Sequence, residues 1–369
     1  MPAHPAGDTD RAAGLEEPSA ATDARPIKVI VWDLDHTLWD GVLLEDGDVT
    51  LRPGIVDTIT ALDRRGILHS VASRNDPDTA LARLEKFQLA EYFLHPRIGW
   101  GAKSESVAAI AADLNLSLDA VAFVDDDAVE RAEVAFHHPQ VRCFHPDDAP
   151  SLPDLPELAG ARTEEAARRR QLYREDLVRT RAEAEHEGPR PEFLASLNMN
   201  LLVHPARRED LERLRELTLR TNQLNSTGHT YNLAELEECL RSDRYELVVA
   251  ELSDRFGSYG KIGLALTEHI GDRWLVKLVL TSCRVLNRGI GSILLTVIAN
   301  RAVAAGARLQ AEFVETGRNR PMYVAFRLAG FRPAAESAEP TADGRPVILE
   351  RADTSPVPVP AHVTVDDRT

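Results

Sequence analysis

Positive charge, cysteine and long apolar runs are what this chain has least of. Its 43 lysines and arginines are outnumbered by 59 aspartates and glutamates, for a formal net charge of −16. That balance argues against generic binding to nucleic acid or to an anionic membrane, because both require a positive surface. A local basic patch remains compatible with it. Only three cysteines occur, Cys143, Cys239 and Cys283. They make neither a disulfide framework nor a zinc spacing, so a reducing cytoplasm is the expected setting. No stretch approaches the roughly 18 consecutive apolar residues of a membrane span. Residues 1–25 are rich in Ala, Pro, Asp and Glu and lack the apolar core of a secretory signal. They read as a disordered tail, as does the Pro/Val/Asp-rich segment 353–369.

The length predicts roughly two domains. Residues 26–150 alternate short apolar runs (28–32, 67–72, 120–124, 141–144) with helical stretches near 53–65, 76–88, 103–115 and 127–136. Such alternation implies a parallel sheet with helices on both faces. A proline-rich stretch at 146–160 reads as the start of a linker covering 151–190. The charged segment 163–187 within it is expected to form a solvated connecting helix. Residues 191–352 form the second domain, with an α+β texture. Helices are expected at 207–219 and 232–241, then strands at 245–252, 261–268 and 274–281. A long helix over 289–305 follows, then a strand at 308–314, a helix at 320–329 and a last strand at 346–350.

The chemistry-bearing residues of the first domain fall just after its strands, the edge where open α/β sheets bind ligands. Asp33-Leu34-Asp35-His36-Thr37 follows the first apolar run. Ser73, with Asn75 just beyond it, ends the second. Lys103 opens a helix, and Asp125-Asp126-Asp127 follows the third strand. A carboxylate nucleophile splits phosphate-ester hydrolysis into two steps through an acyl phosphate. Asp33 is the expected nucleophile and Asp35 its general acid and base. Ser73 is positioned to hydrogen-bond a phosphoryl oxygen, and Lys103 to offset the negative charge. Asp33, Asp35, Asp125 and Asp126 make a hard oxygen set suited to Mg²⁺. In this order the residues resemble the haloacid dehalogenase superfamily over 27–146. The short gaps between Thr37, Ser73 and Lys103 leave no room for a large cap domain, so the site suits a phosphate carried on something large, such as a protein-bound substrate.

In the second domain the segment 280–291 carries Cys283, Arg284, Arg288, Gly289 and Gly291 where a strand gives way to a long apolar helix. Helix starts bind phosphates well. The layout resembles the pyrophosphate loop of GCN5-related N-acetyltransferases (GNAT), although Leu286 departs from that pattern's first position. Arg284 and the helix start would lower the thiol pKa of Cys283. Cys143 and Cys239 read as packing residues.

The whole chain apart from its tails resembles the FkbH-like proteins of polyketide biosynthesis. The resemblance rests on VWDLDHTLWDG (31–41), ASRND (72–76), RIGWGAKSESV (97–107), FVDDDAVERAEVAF (123–136), LTLRTNQLNSTG (217–228), DRFG (254–257), TSCRV (281–285) and RNRPM with AGF (318–331). It implies a haloacid dehalogenase-like α/β sheet without a large cap, followed by a GNAT-like α+β domain. The implied activity loads the glyceryl unit of D-1,3-bisphosphoglycerate onto a holo acyl carrier protein, with loss of both phosphates and Mg²⁺ as cofactor. No nucleic-acid or membrane partner is implied. Cys283 becomes the candidate for an enzyme-bound thioester. Thr37, Asn75, Asn222, Gln223, Asn225, Arg284, Arg288, Gly289, Gly291 and Asn319 become candidates for lining the substrate or pantetheine sites. In the second domain the polar runs Arg220–Asn225 and Arg318–Arg320 are the expected lining of the acyl or pantetheine site. His36 stands where the family pattern usually has Asn. An acidic carrier would dock on local basic residues, with 168–170, Arg284 and Arg288 the expected ones. Three rivals are a plain Mg²⁺ phosphatase with a recruiting second domain, an acetyl-CoA-dependent acyltransferase with a degenerate phosphatase half, and a non-enzymatic carrier-protein adaptor.

Overall fold

Val29, Ile30, Val31 and Trp32 are all fully buried, a pattern that fits a strand in the middle of a sheet covered on both faces. The computed structural model describes residues 26–335, 337, 339–341 and 344–369; the tail expected at 1–25 lies outside them. The first domain runs β1 (Val29–Trp32), β2 (Trp39–Asp40), α1 (Leu43–Asp46), β3 (Thr50–Leu51), α2 (Ile55–Arg64), β4 (Leu68–Ser73), α3 (Pro77–Lys86), β5 (Arg97–Ile98), α4 (Lys103–Asp113), β6 (Val121–Val124), α5 (Ala128–His137) and β7 (Arg142–Phe144). Its main sheet has the order β5-β4-β1-β6-β7, and every pair in it is parallel. Side chains alternate between faces along a strand. Ile30 and Trp32 accordingly join one core cluster with Val71 and Val124, while Val29 and Val31 join another with Leu68 and Phe123. Only the small β2–β3 hairpin with α1 is inserted after β1, so the sheet's C-terminal edge carries no large cap.

The proline-rich stretch is part of this domain rather than a free linker. Its prolines shape short 3-10 turns at Pro146–Asp154 and Pro156–Leu158. Between them Ala149, Leu152 and Leu158 are buried against Ile55, Ile59 and Leu62 of α2, and Thr58 Oγ1 donates to the Ala149 carbonyl at 3.1 Å. Gly160 adopts φ +61, and a Cβ there would meet the Arg65 carbonyl oxygen at 2.4 Å, so the crossing needs glycine.

Three helices follow: α6 (Glu164–Ala167), α7 (Arg169–Ala184) and α8 (Arg190–Ser196). The expectation of a solvated connector is corrected for α7. Arg169, Leu172 and Arg179 are buried. Arg170 Nε reaches Asp63 in the first domain at 3.0 Å. Arg179 grips Asp254 in the second with Nε at 2.9 Å and Nη2 at 3.1 Å. Tyr173 and Leu177 pack on the Val29/Val31 face. The charges that suggested solvation are satisfied by carboxylates of the two domains, and α7 braces one against the other.

The second domain comprises β8 (Met199–Pro205), α9 (Leu211–Arg220), α10 (Leu233–Arg241), β9 (Tyr245–Asp254), β10 (Gly257–Ile270), β11 (Arg273–Thr281), α11 (Ile290–Ala304), β12 (Arg308–Val314), α12 (Arg320–Leu328), β13 (Arg332–Pro333), β14 (Pro346–Arg351) and β15 (Val363–Asp367). Its sheet has the order β13-β14-β12-β11-β10-β9-β8-β15. The parallel pair β11–β12 is joined only from Arg273↔Arg308 to Val276↔Ala311. Beyond that the segment around Ser226 bridges the two strands: Ser226 N donates to the Val279 carbonyl and Val314 N to the Ser226 carbonyl, both at 3.0 Å. The apolar helix α11 is buried along most of its length. The disordered tail expected from 353 is also corrected, because β15 pairs in parallel with β8 from Val363↔Met199 to Asp367↔Val203. β8 offered an unpaired edge, and five extended residues satisfy it whatever their composition. Among the described residues no helix is long and apolar enough to cross a membrane.

Candidate functional site

Register alone brings the first site together. Trp32 pairs with Val124 on one side and Val71 on the other, so Asp33, Asp125 and Ser73 all emerge at one edge. Asp33 N donates to the Val124 carbonyl at 2.9 Å. Lys103, at the first position of α4, places Nζ 3.0 Å from Asp33 Oδ1 and 2.6 Å from Asp125 Oδ2. Burial pushes the Asp33 carboxyl up, to about 7; Lys103 pulls it back and Asp125 adds to the rise. Burial also works against the Lys103 charge, but Asp33 and Asp125 prevail and hold it as ammonium. Ser73 Oγ is buried beside Asp33, helping to hold that carboxyl down, but makes no hydrogen bond of full geometry among the described residues. An acceptor such as a phosphoryl oxygen would complete it.

One oxygen from each of Asp33, Asp125 and Asp126 lies within 4.8 Å of the others. Two of these carboxylates are buried and one ammonium serves both, so charge and donor type fit Mg²⁺. Asp35, expected among the ligands, is not part of that carboxylate group. Its Oδ1 accepts from Trp39 Nε1 at 2.7 Å and Leu43 N at 3.0 Å, and its Oδ2 from Asn75 Nδ2 at 3.0 Å. Both carboxylate oxygens of Asp35 are thus taken up by three donors rather than grouped with the other carboxylates. Asn75, fully buried, positions it. Thr37 is also buried, and its hydroxyl accepts from Asp126 N at 3.1 Å, fixing the loop that carries Asp126. Asp127 caps α5, accepting from Val129 N at 2.8 Å. His36 has φ +53, a left-handed conformation in which Asn, Asp and His are all enriched.

Cys283 lies at the opposite edge of this sheet. Asn115, in the turn between α4 and β6, donates Nδ2 to the Cys283 carbonyl at 3.3 Å. The residue lines a cavity of about 320 Å³ at the seam of the two domains, shared with Lys28, Asn222 and Gln223. Backbone N–H groups of Gln223 and Asn222 face the thiol, and Lys28 favours its ionised form, yet burial outweighs them and pushes the thiol pKa up. The expected activation is corrected on both counts. Arg284 Nη2 donates instead to the Tyr259 carbonyl at 2.8 Å. The helix α11 begins only at Ile290, after a 3-10 turn at Cys283–Arg288.

Several pantetheine candidates serve the fold. Asn225 is buried, and its Oδ1 accepts from Thr227 N at 3.1 Å and Gly228 N at 2.8 Å. Asn319, also buried, donates Nδ2 to the carbonyls of Asn225 and Val314, each at 2.9 Å. Gly291 packs near Thr281, Ala325 and Met322. Arg288 is paired with Glu183 at 2.9 Å and sits over the Phe193 ring. Arg190 Nη2 donates to the Asn287 carbonyl at 2.9 Å, so α7 and α8 engage the turn leading to Gly289. Of the expected docking arginines, Arg169 is held by Glu216, Arg170 by Asp63 and Glu91, and Arg288 by Glu183. These are internal braces, and the docking role is withdrawn for them.

Sequence reasoning missed Lys28, whereas Arg220 belongs to the polar run 220–225 expected at the acyl or pantetheine site, and it does line the Cys283 cavity. Lys28 is a lone charge opening an apolar run, and its Nζ donates to the Arg220 carbonyl at 2.7 Å. It missed Arg131 as well, whose Nη1 donates to the Asp125 carbonyl at 2.6 Å. Their only sequence signal was a charge beside an apolar element.

No protein-family model matches this chain, and no curated protein matches it. Among solved structures, it is similar to the N-terminal part of the protein BF1531 from Bacteroides fragilis, described as containing a phosphatase domain complexed with Mg. Identity there is 28% and the TM-score 0.30, over 35% of this chain and 40% of that one. The chain thus spans well under half the length of that structure. It is also similar to the ribosomal-protein-S18-alanine N-acetyltransferase from Escherichia coli (17% identity, TM-score 0.32, 41% of this chain and 92% of that one). A further likeness is to a GNAT superfamily phosphinothricin acetyltransferase from Sinorhizobium meliloti in complex with AcCoA (23%, TM-score 0.31, 40% and 86%). At these TM-scores the fold assignment rests on strand order and on where the site residues emerge. On those grounds, the chain joins a haloacid dehalogenase-like parallel sheet without a large cap to a GNAT-like α+β domain.

Proposed function

We propose that this chain is a two-centre enzyme, a Mg²⁺-dependent phosphatase and a thioester-forming glyceryl transferase. It would load the glyceryl unit of D-1,3-bisphosphoglycerate onto a holo acyl carrier protein for polyketide extender-unit or related three-carbon biosynthesis. The observation that carries this reading is a complete Asp33–Lys103–Asp125 set beside the buried Ser73 hydroxyl, in one chain with a cysteine in a cation-lined cavity. The FkbH-like resemblance supplies substrate and carrier.

At the phosphatase centre Asp33 attacks phosphorus, and the bond to the substrate oxygen breaks as Asp35 delivers a proton to that oxygen. Water then attacks the aspartyl phosphate, gives its proton to Asp35 and releases phosphate. Bound Mg²⁺ would offset the repulsion between carboxylate and phosphate. Trp39, Leu43 and Asn75 hold Asp35 for both proton transfers. At the second centre the Cys283 sulfur attacks the acyl carbon. The C–O bond to phosphate breaks, phosphate leaves with the electron pair, and the thiol proton ends on it. The carrier thiol then takes the acyl group and returns a proton to Cys283.

The test is intact-protein mass after mixing enzyme, bisphosphoglycerate and Mg²⁺, with and without holo carrier. The expected result is an acyl adduct that moves to the carrier and is lost in Cys283→Ala. Phosphate release with no adduct on either protein would support the plain phosphatase instead, which the burial-raised thiol pKa of Cys283 favours.

A further inference from the structure

The cavity beside Cys283 is strongly basic in a chain of net charge −16. Lys28, Arg169, Arg213, Arg220, Arg284 and Arg318 line it, against a single lining carboxylate, Glu165. Some of these cations are already answered. Arg169 and Arg213 pair with Glu216, and Arg318 reaches Asp119 at 3.0 Å. The others are not: among the described residues no carboxylate lies within ion-pair distance of Lys28, Arg220 or Arg284. Lys28 and Arg284 donate only to backbone carbonyls, and Arg284 Nη1 is buried with no partner. Burial and neighbouring arginines work against the charge on Lys28 and Arg220. Asp119, Glu216 and Asp176 support the charges on Lys28, Arg220 and Arg284 only from beyond ion-pair distance. Cations drawn from water without a paired counter-charge are costly, and an anion would relieve all three.

We propose that this cavity is a phosphoryl-binding chamber, in which Lys28, Arg220 and Arg284 hold the phosphate end of a small acyl phosphate beside Cys283. The proposal rests on the transferase reading and adds the residues that receive the leaving phosphate. It also separates the two chemistries. Lys28 precedes β1 and Asp33 follows it, five steps of roughly 3.3 Å, or about 16 Å. An acyl group on Cys283 is therefore out of reach of Asp33, and the phosphatase is not beside the thiol, as the chemistry of a single pocket would suggest. The phosphoester is cleaved either before the acyl group reaches Cys283 or after the carrier has taken it away.

The test uses the full chain without Mg²⁺ and follows alkylation of Cys283 by neutral iodoacetamide, with Cys143 and Cys239 as internal controls. Inorganic phosphate and 3-phosphoglycerate are the probes. At ten times its Kd, a bound probe slows the reaction about tenfold by mass action. That protection is expected in wild type and in Asp33→Asn, lost in Arg220→Gln, and partly restored in Arg220→Lys, which keeps the charge. No protection of folded wild type, or protection lost in Asp33→Asn and kept in Arg220→Gln, overturns the proposal. Protection without transfer to a carrier defeats the transferase reading and leaves the chamber standing. Transfer without protection does the reverse.

Discussion

Replacing Glu216 by Gln removes the charge at the centre of the seam. Its carboxylate is buried and accepts from Arg213 Nη1 at 2.8 Å, Thr163 Oγ1 at 2.9 Å and the Arg169 guanidinium. Both arginines are themselves buried. Removing one partner of a buried ion pair costs about 3–5 kcal/mol, because the other charge is left uncompensated. The amide oxygen still accepts hydrogen bonds, so the lower end, about 3 kcal/mol, is expected. For domains of this size that lowers Tm by about 6–12 °C. The pH dependence is specific. Burial alone would raise the Glu216 pKa, but Arg169, Arg213 and Arg220 hold it well below the usual carboxylate range. A folded-state pKa below the unfolded value of about 4.3 stabilises above that pH, and the gain fades as pH falls further. The gap between wild type and variant should be constant from neutral pH down to about pH 6 and shrink below about pH 4. Thermal unfolding by circular dichroism across that range is the assay. A gap under about 1 kcal/mol at neutral pH, or one that persists undiminished to about pH 3, would refute the reasoning.

Asn75→Ala leaves Asp35 held by two donors instead of three, and misplacement of this proton carrier should lower kcat for phosphate release by about 10–100-fold with KM little changed; unchanged kcat would remove its positioning role. Chelation of Mg²⁺ should stop hydrolysis of the phosphomonoester while leaving acylation of Cys283, with its own release of the acyl phosphate, intact, since the carboxylates that would hold the metal and the thiol lie at opposite edges of one sheet. Equal loss of both activities would tie the centres together. Truncation after residue 358 removes β15 and uncovers the β8 edge. Loss of the buried Val363 contact alone is worth about 1.5–3 kcal/mol, and the bared edge should promote aggregation visible by light scattering.

The meeting of Asp33, Ser73, Lys103 and Asp125 was legible because each of them is tied to a local signal. Asp33 and Asp125 end apolar strands, Ser73 ends a third, and Lys103 opens a helix; in a parallel sheet such positions converge once the order of strands is set. The arrangement of Asp35 was less legible, because sequence does not show that Trp39, Leu43 and Asn75 take up its oxygens. In the second domain, Asn225 and Asn319 look like site residues by motif. Their amides hold in place the segment whose Ser226 backbone bridges β11 and β12, a gap that exists only in the folded sheet.

What the amino-acid sequence by itself determined is the strand–helix alternation of the first domain, the edge at which its carboxylates meet, and the absence of a large cap. These follow from periodicity and spacing along the chain. Only the tertiary structure decided the rest. It turned the charged helix α7 into a brace, drew the Pro/Val/Asp-rich tail into the sheet as β15, and set Cys283 in a basic chamber far from Asp33. Each of these depends on partners distant in sequence: carboxylates for buried arginines, an unpaired strand edge, and cations gathered from both domains at one seam. Charge satisfaction and burial are properties of the assembled surfaces, and no local pattern encodes them.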